Sequence, residues 1–173
     1  MTTGQTMLAV GALVLLTTIM MNFYRSYSLN WETIDGTQMG IDATTIATSF
    51  MEVAHGLSFD EASDTMYITD PGQLTTAGSL GREGAHDDSL HKFNDFDDFH
   101  LYETTVDAGD NGIYGARFEV HYVEPTNVMT PVNYRTYTKR LDMWIWREDP
   151  PPPPGSELDT LSMFTVMGYF TFQ

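Results

Sequence analysis

The chain of 173 residues contains no cysteine, and no charged side chain precedes Arg25. The first absence excludes disulfides, thiolate catalysis and cysteine-ligated zinc. Basic residues are scarce: 8 Lys and Arg stand against 24 Asp and Glu, for a formal net charge of -16. Such a surface repels phosphate backbones, which argues against nucleic acid as a partner, and it offers no basic patch to anionic lipid. Catalytic signatures are also missing. There is no G-x-S-x-G elbow and no H-E-x-x-H helix, so the chain is not expected to be an enzyme. The adjacent carboxylates of Asp60 and Glu61 suit acid-base chemistry, but nothing in the sequence sets them in a cleft.

What the N-terminus does contain is an apolar run. Met7 to Tyr24 reads MLAVGALVLLTTIMMNFY, about the ~20 residues one membrane-spanning helix needs. In lipid a lone segment must be helical to satisfy its own backbone. No Lys or Arg precedes the run, and Asn22-Phe23-Tyr24-Arg25 is a poor signal-peptidase site, so the helix is expected to stay on the mature protein. The remainder is acidic, yet the chain is 42% hydrophobic and 13% aromatic. That supports a folded body large enough for one domain.

The segment after Arg25 has no proline to stop a helix, but Asp35-Gly36 and Gly40 weaken one by about 1 kcal/mol per glycine. A kink or break is therefore expected between Ile34 and Ile41. Met39, Ala43, Ile46, Phe50, Val53 and Leu57 then recur at spacings of four and three, which lines one helical face for packing on a sheet. Gly56 is placed to end that helix. Residues 58–112 read as an irregular insert rich in turn signals such as Asp70-Pro71-Gly72. Strands follow. Tyr114, Ala116, Phe118, Val120 and Tyr122 alternate with polar residues. Arg135 to Arg147 sets Leu141, Met143 and Ile145 against Trp144 and Trp146, and Leu161 to Phe172 carries Phe164, Val166 and Phe170. A stiff Pro-rich loop over 149–155 bridges the last two strands. The expected fold is α+β: a long hydrophobic N-terminal α-helix packed on a C-terminal antiparallel β-sheet. The helix spans 1–57, with an apolar half at 1–24 and an amphipathic half at 39–57. The globular β domain spans 58–173.

This organisation resembles the type IV pilin and type II secretion pseudopilin superfamily. Gly4-Gln5-Thr6-Met7-Leu8 is similar to a prepilin junction, where a peptidase cuts after the glycine. Ile41 to Glu52 followed by Phe59-Asp60-Glu61 resembles the second half of the pilin helix. Phe96-Asp97-Asp98-Phe99, Gly115 to Val120 and Tyr137-Thr138-Lys139-Arg140-Leu141 resemble passages of the pilin sheet. Cutting after Gly4 puts Ala9 at the fifth mature position, where the family usually has glutamate; if Met1 is the mature start, Gln5 stands there as a neutral analogue. Gly4 and Gln5 are thus candidate processing and assembly residues. The resemblance implies a homopolymer: a helical filament subunit held in the inner membrane before assembly, handled by pilus assembly machinery, and finally on the cell surface. A pseudopilin of a secretion system and a single-span anchored envelope ectodomain are the alternatives. Arg25 alone, read by the positive-inside rule, would put the body in the cytoplasm, but long domains translocate largely regardless of such a charge.

Outside lipid the apolar helix must be covered, and bundling with copies of itself does so. At ~25 cal/mol per Å2, burying a helix side yields on the order of 10 kcal/mol before ordering costs. Met7, Leu8, Val10, Leu13, Val14, Leu16, Ile19 and Met20 are the expected assembly residues. Heterologous packing that does not close makes a filament. His86-Asp87-Asp88, His91, Asp95, Asp97-Asp98 and His100 crowd potential ligands into one stretch. Asp95, Asp97 and Asp98 are the candidate calcium ligands, although the spacing matches no EF-hand loop and a solvated acidic loop is the simpler expectation. No other cofactor is indicated. The tryptophans at strand spacing read as core or interface filler.

Overall fold

The computed structural model describes residues 2–82, 89–151 and 160–170. Contacts divide the chain into two compact units, Met1–Met39 and Gly40–Gln173. Helix α1 covers Thr3–His55. Residues 34–41 are helical throughout, so the break expected at Gly36 and Gly40 is not formed. The reason is local. Without proline no backbone donor is lost. Threonine hydroxyls also bond back along the helix on both sides of the glycines, from Thr37 Oγ1 to Thr33 O and from Thr44 Oγ1 to Gly40 O. Two propensity costs of about 1 kcal/mol do not open such a ladder. The boundary between the two units nevertheless falls in this stretch.

In the second unit, α2 (Glu61–Thr65) precedes five strands: β1 Glu103–Asp107, β2 Ile113–Glu124, β3 Asn127–Val132, β4 Thr138–Asp149 and β5 Leu161–Gly168. All pairings are antiparallel, in the order β1-β2-β4-β5, with β3 also on β2. The expected α+β class is found. Two corrections apply. The 58–112 segment, expected to be irregular, holds α2, several 3-10 turns and strand β1, and a further strand, β3, forms at Asn127–Val132 where none is expected. β1 is only five residues long, too short for its alternation to stand out. The last strand ends at Gly168, before the expected Phe172, which lies outside the described residues. Most of the Pro-rich loop does too.

The inner sheet face follows the alternation. Tyr114, Ala116, Phe118, Val120 and Tyr122 of β2 are buried, as are Leu141, Met143 and Ile145 of β4. The Gly40–His55 part of α1 lies on this face, with Phe50 edge-on to Phe118 at 4.7 Å between ring centroids. Asp42 accepts from Tyr114 Oη, and His55 Nε2 meets Thr165 Oγ1 of β5 at 2.7 Å. The buried helix stripe of this unit is Ala43, Ala47, Phe50 and Ala54. Of the expected packing residues, Met39, Ala43 and Phe50 are buried, Ile46 and Leu57 are half-buried, and Val53 is exposed. Ala47 and Ala54 take inward positions beside Phe50, whose ring already fills the space between helix and sheet against Phe118. The hydrophobicity pattern alone favoured the larger residues.

One strand glycine has a packing reason. Gly115 pairs with Trp146, and a Cβ at Gly115 would lie 2.4 Å from the indole ring. The indole therefore occupies the space a side chain would need. Gly112, just before β2, has φ of 103°, and a Cβ there would lie 2.1 Å from Asp149 O, so both its backbone and its surroundings require glycine.

Candidate functional site

Two features stand out, one in each unit. In the first, every expected assembly residue is exposed: Met7, Leu8, Val10, Leu13, Val14, Leu16, Ile19 and Met20 range from 57% to 79%. They do not form one stripe. Leu15, Met21, Phe23 and Tyr24 are equally open, so this half of α1 is apolar all round, as a membrane span or a bundled core helix must be. Two of its threonine hydroxyls are satisfied by the helix backbone, Thr17 Oγ1 donating to Leu13 O at 2.7 Å and Thr18 Oγ1 to Val14 O at 2.8 Å. This is the one helix among the described residues long and apolar enough to cross a membrane, and it lies near the N-terminus. Met7, Leu8, Gly11, Ala12 and Leu15 border a shallow groove on it. A Cβ at Gly4 or Gly11 would meet nothing within 4 Å, so nothing inside the chain requires those glycines. Gln5 Oε1 accepts from Thr2 N at 3.3 Å and so closes the start of the helix.

The second feature was not foreseen. Lys139 of β4 is fully buried, and its Nζ donates to Phe59 O and to Asp60 Oδ2, both at 2.8 Å, and to Asp97 Oδ1. The rings of Phe59 and Tyr122 flank the ammonium, with centroids 4.7 Å and 5.4 Å away, close enough for cation–π attraction. Asp60 is held from several sides. It accepts from Ala62 N, where it caps α2, from Thr75 N and Thr75 Oγ1, and from Tyr122 Oη. Burial alone would raise its carboxyl, but Lys139 and these N–H donors outweigh that and hold it below the usual carboxylate range. Asp97 goes the other way: burial, with Asp60 nearby, raises it despite Lys139. Burial and the neighbouring Asp97 and Asp98 push Asp95 up to about 8. Burial, then Asp60 and Asp97, also raise Tyr122.

The network ties the 58–99 segment to the sheet. A satellite core of Phe59, Ile68, Leu74 and Tyr122 surrounds it. The reading of Asp60-Glu61 as a carboxylate pair saw one member of the network, and Lys139 appeared only inside a strand motif. The available signal was a lone lysine at an inward β4 position, two residues before Leu141.

The candidate calcium ligands are used locally. Asp95 Oδ1 accepts from the backbone N–H of Asp97 and Asp98, and Asp98 Oδ2 from Asn94 N and Asp95 N, so the two cap the 3-10 turn Phe96–Phe99 reciprocally. Asp97 faces Lys139 instead. Among the described residues no group of three or more His, Cys, Asp or Glu side chains is arranged to hold a metal ion. His86, Asp87 and Asp88 lie outside the described residues. Comparison with family models, with curated proteins and with solved structures finds no significant match.

Proposed function

We propose that the protein is the structural subunit of an extracellular type IV pilus-like filament, polymerising through the apolar half of α1. The observation that carries this reading is the complete exposure of an uncharged, apolar helix ahead of Arg25. An exposed apolar surface of this extent marks a site that lipid or protein covers. A lipid bilayer covers it before assembly, and neighbouring copies cover it afterwards, with Gly11 and Ala12 allowing close helix approach. The acidic residues of the chain all follow Arg25, outside the segment that these contacts cover. Negative-stain microscopy of material sheared from cells expressing the protein tests this directly. Uniform fibres containing the chain are expected.

A second reading rests on the same helix: a single-span anchor for an envelope ectodomain, or a pseudopilin of a secretion system. Absence of fibres at every expression level, with the chain retained in membranes, selects the anchor. Fibres on overexpression alone select the pseudopilin.

A further inference from the structure

We propose that Lys139 and Asp97 become joined after folding by an amide bond between Lys139 Nζ and the Asp97 side-chain carboxyl carbon. The inference stands on the second unit alone and does not depend on the filament reading. An amine and a carboxyl group are held in direct contact here, with Lys139 and Asp60 fully buried and Asp97 nearly so. Fixed proximity of this kind replaces an encounter in solution with the equivalent of a very high local concentration. Exclusion of water also removes the solvent that favours separate ions. Converting an ammonium and a carboxylate into a neutral amide relieves the burial cost of both charges. The surroundings hold more acid than base: Asp60, Asp95 and Asp97 cluster about Lys139.

The two carboxyl groups in contact with Lys139 are not equivalent. Asp60 is fixed as an anion by Ala62 N, Thr75 N and Thr75 Oγ1, which suits it to accept and return a proton. Burial favours the neutral form of Asp97, which makes its carboxyl carbon the better electrophile. In the reaction, Asp60 takes a proton from Nζ and passes it to an Asp97 oxygen. The freed lone pair attacks the Asp97 carboxyl carbon and forms the C–N bond. Asp60 then relays a second Nζ proton to the departing oxygen, the C–O bond breaks, and one water leaves. The amide nitrogen keeps its third proton, Asp60 ends as it began, and no oxidant or activated co-reactant is required. In a chain without cysteine, the bond would clamp the 3-10 turn Phe96–Phe99 to β4 covalently.

The test is mass spectrometry on the full chain, purified in detergent, shown to be folded by circular dichroism and then denatured. We expect an intact mass lower than that of the chain by one water. A protease digest should yield the Lys139 peptide joined to the Asp97 peptide, with fragmentation placing the bond on those two side chains. Recovery of the two peptides unlinked from folded protein overturns the proposal, as does a bond from Lys139 to Asp60. Lys139→Arg should restore the full mass. Asp97→Asn should lose ammonia in place of water, and if it still loses water at Lys139 the bond lies elsewhere and the assignment fails. The wild-type digest decides the matter even where a variant does not fold.

Discussion

Lys139 Nζ and Asp60 Oδ2 lie 2.8 Å apart with both side chains fully buried. A strand near the end of the chain thereby grips the segment that follows the helix. Asp60 also accepts from Ala62 N and Thr75 N, and removing one member of such a buried network costs about 3–5 kcal/mol. Asp60→Ala is therefore expected to lower the unfolding free energy by that amount in urea titrations. A loss below about 1 kcal/mol, the range of an exposed pair, would show that the network does not hold the segment in place.

The helix stripe yields a paired test. Ala47 and Ala54 are completely buried against the sheet, whereas Val53 is 38% exposed. Ala47→Leu should destabilise the body by about 1–3 kcal/mol through overpacking. Val53→Ala should stay within about 0.5 kcal/mol, as an exposed change does. The opposite ranking in thermal unfolding would restore the face drawn from hydrophobic spacing.

Gly115 and Trp146 give a spectroscopic readout. Gly115→Ala places a methyl group where the indole lies. Trp146 must then swing toward solvent, with an expected red shift of its fluorescence and a loss of about 1–3 kcal/mol. Unchanged emission would mean that the ring does not rest on the glycine.

His100 carries a pH dependence. Its Nδ1 accepts from Val120 N at 3.1 Å, which requires the neutral ring. Burial, with His121 beside it, lowers its pKa below the usual 6.5 despite Glu119 and Asp97. As pH falls below 6.5 the unfolded chain binds the proton first. The contribution of His100 is thus complete above the unfolded value and is lost as pH falls through the folded one. NMR titration should find this ring protonating below pH 6.5. His100→Gln should weaken the fall in stability across that window.

Assembly is tested in the other unit. Leu13→Asp or Leu16→Asp puts a charge into the apolar helix, at a cost of about 2.5–3.5 kcal/mol in a bilayer centre. Sheared fractions should then contain no filaments, while the Gly40–Gln173 body keeps the same unfolding temperature. Normal filaments from either variant would remove the apolar helix from the assembly contact.

Elements whose periodicity is long and clean can be read directly along the chain. An uncharged apolar run ahead of Arg25 dictates a helix that needs lipid or protein cover. The alternation from Tyr114 to Tyr122 dictates a strand with one buried face, because side chains two apart must share a side. β1 and β3 were not legible, since short edge strands are defined by their pairing with β2 and hardly by their own pattern. Folding settled two further points. It chose Ala47 and Ala54 over Ile46 and Val53, because the room between helix and sheet depends on what the sheet already holds. It also brought Asp60, Asp97 and Lys139 to one point, from positions up to 79 residues apart. Charge and spacing along a chain carry no record of such a meeting; only the folded path of the backbone creates it.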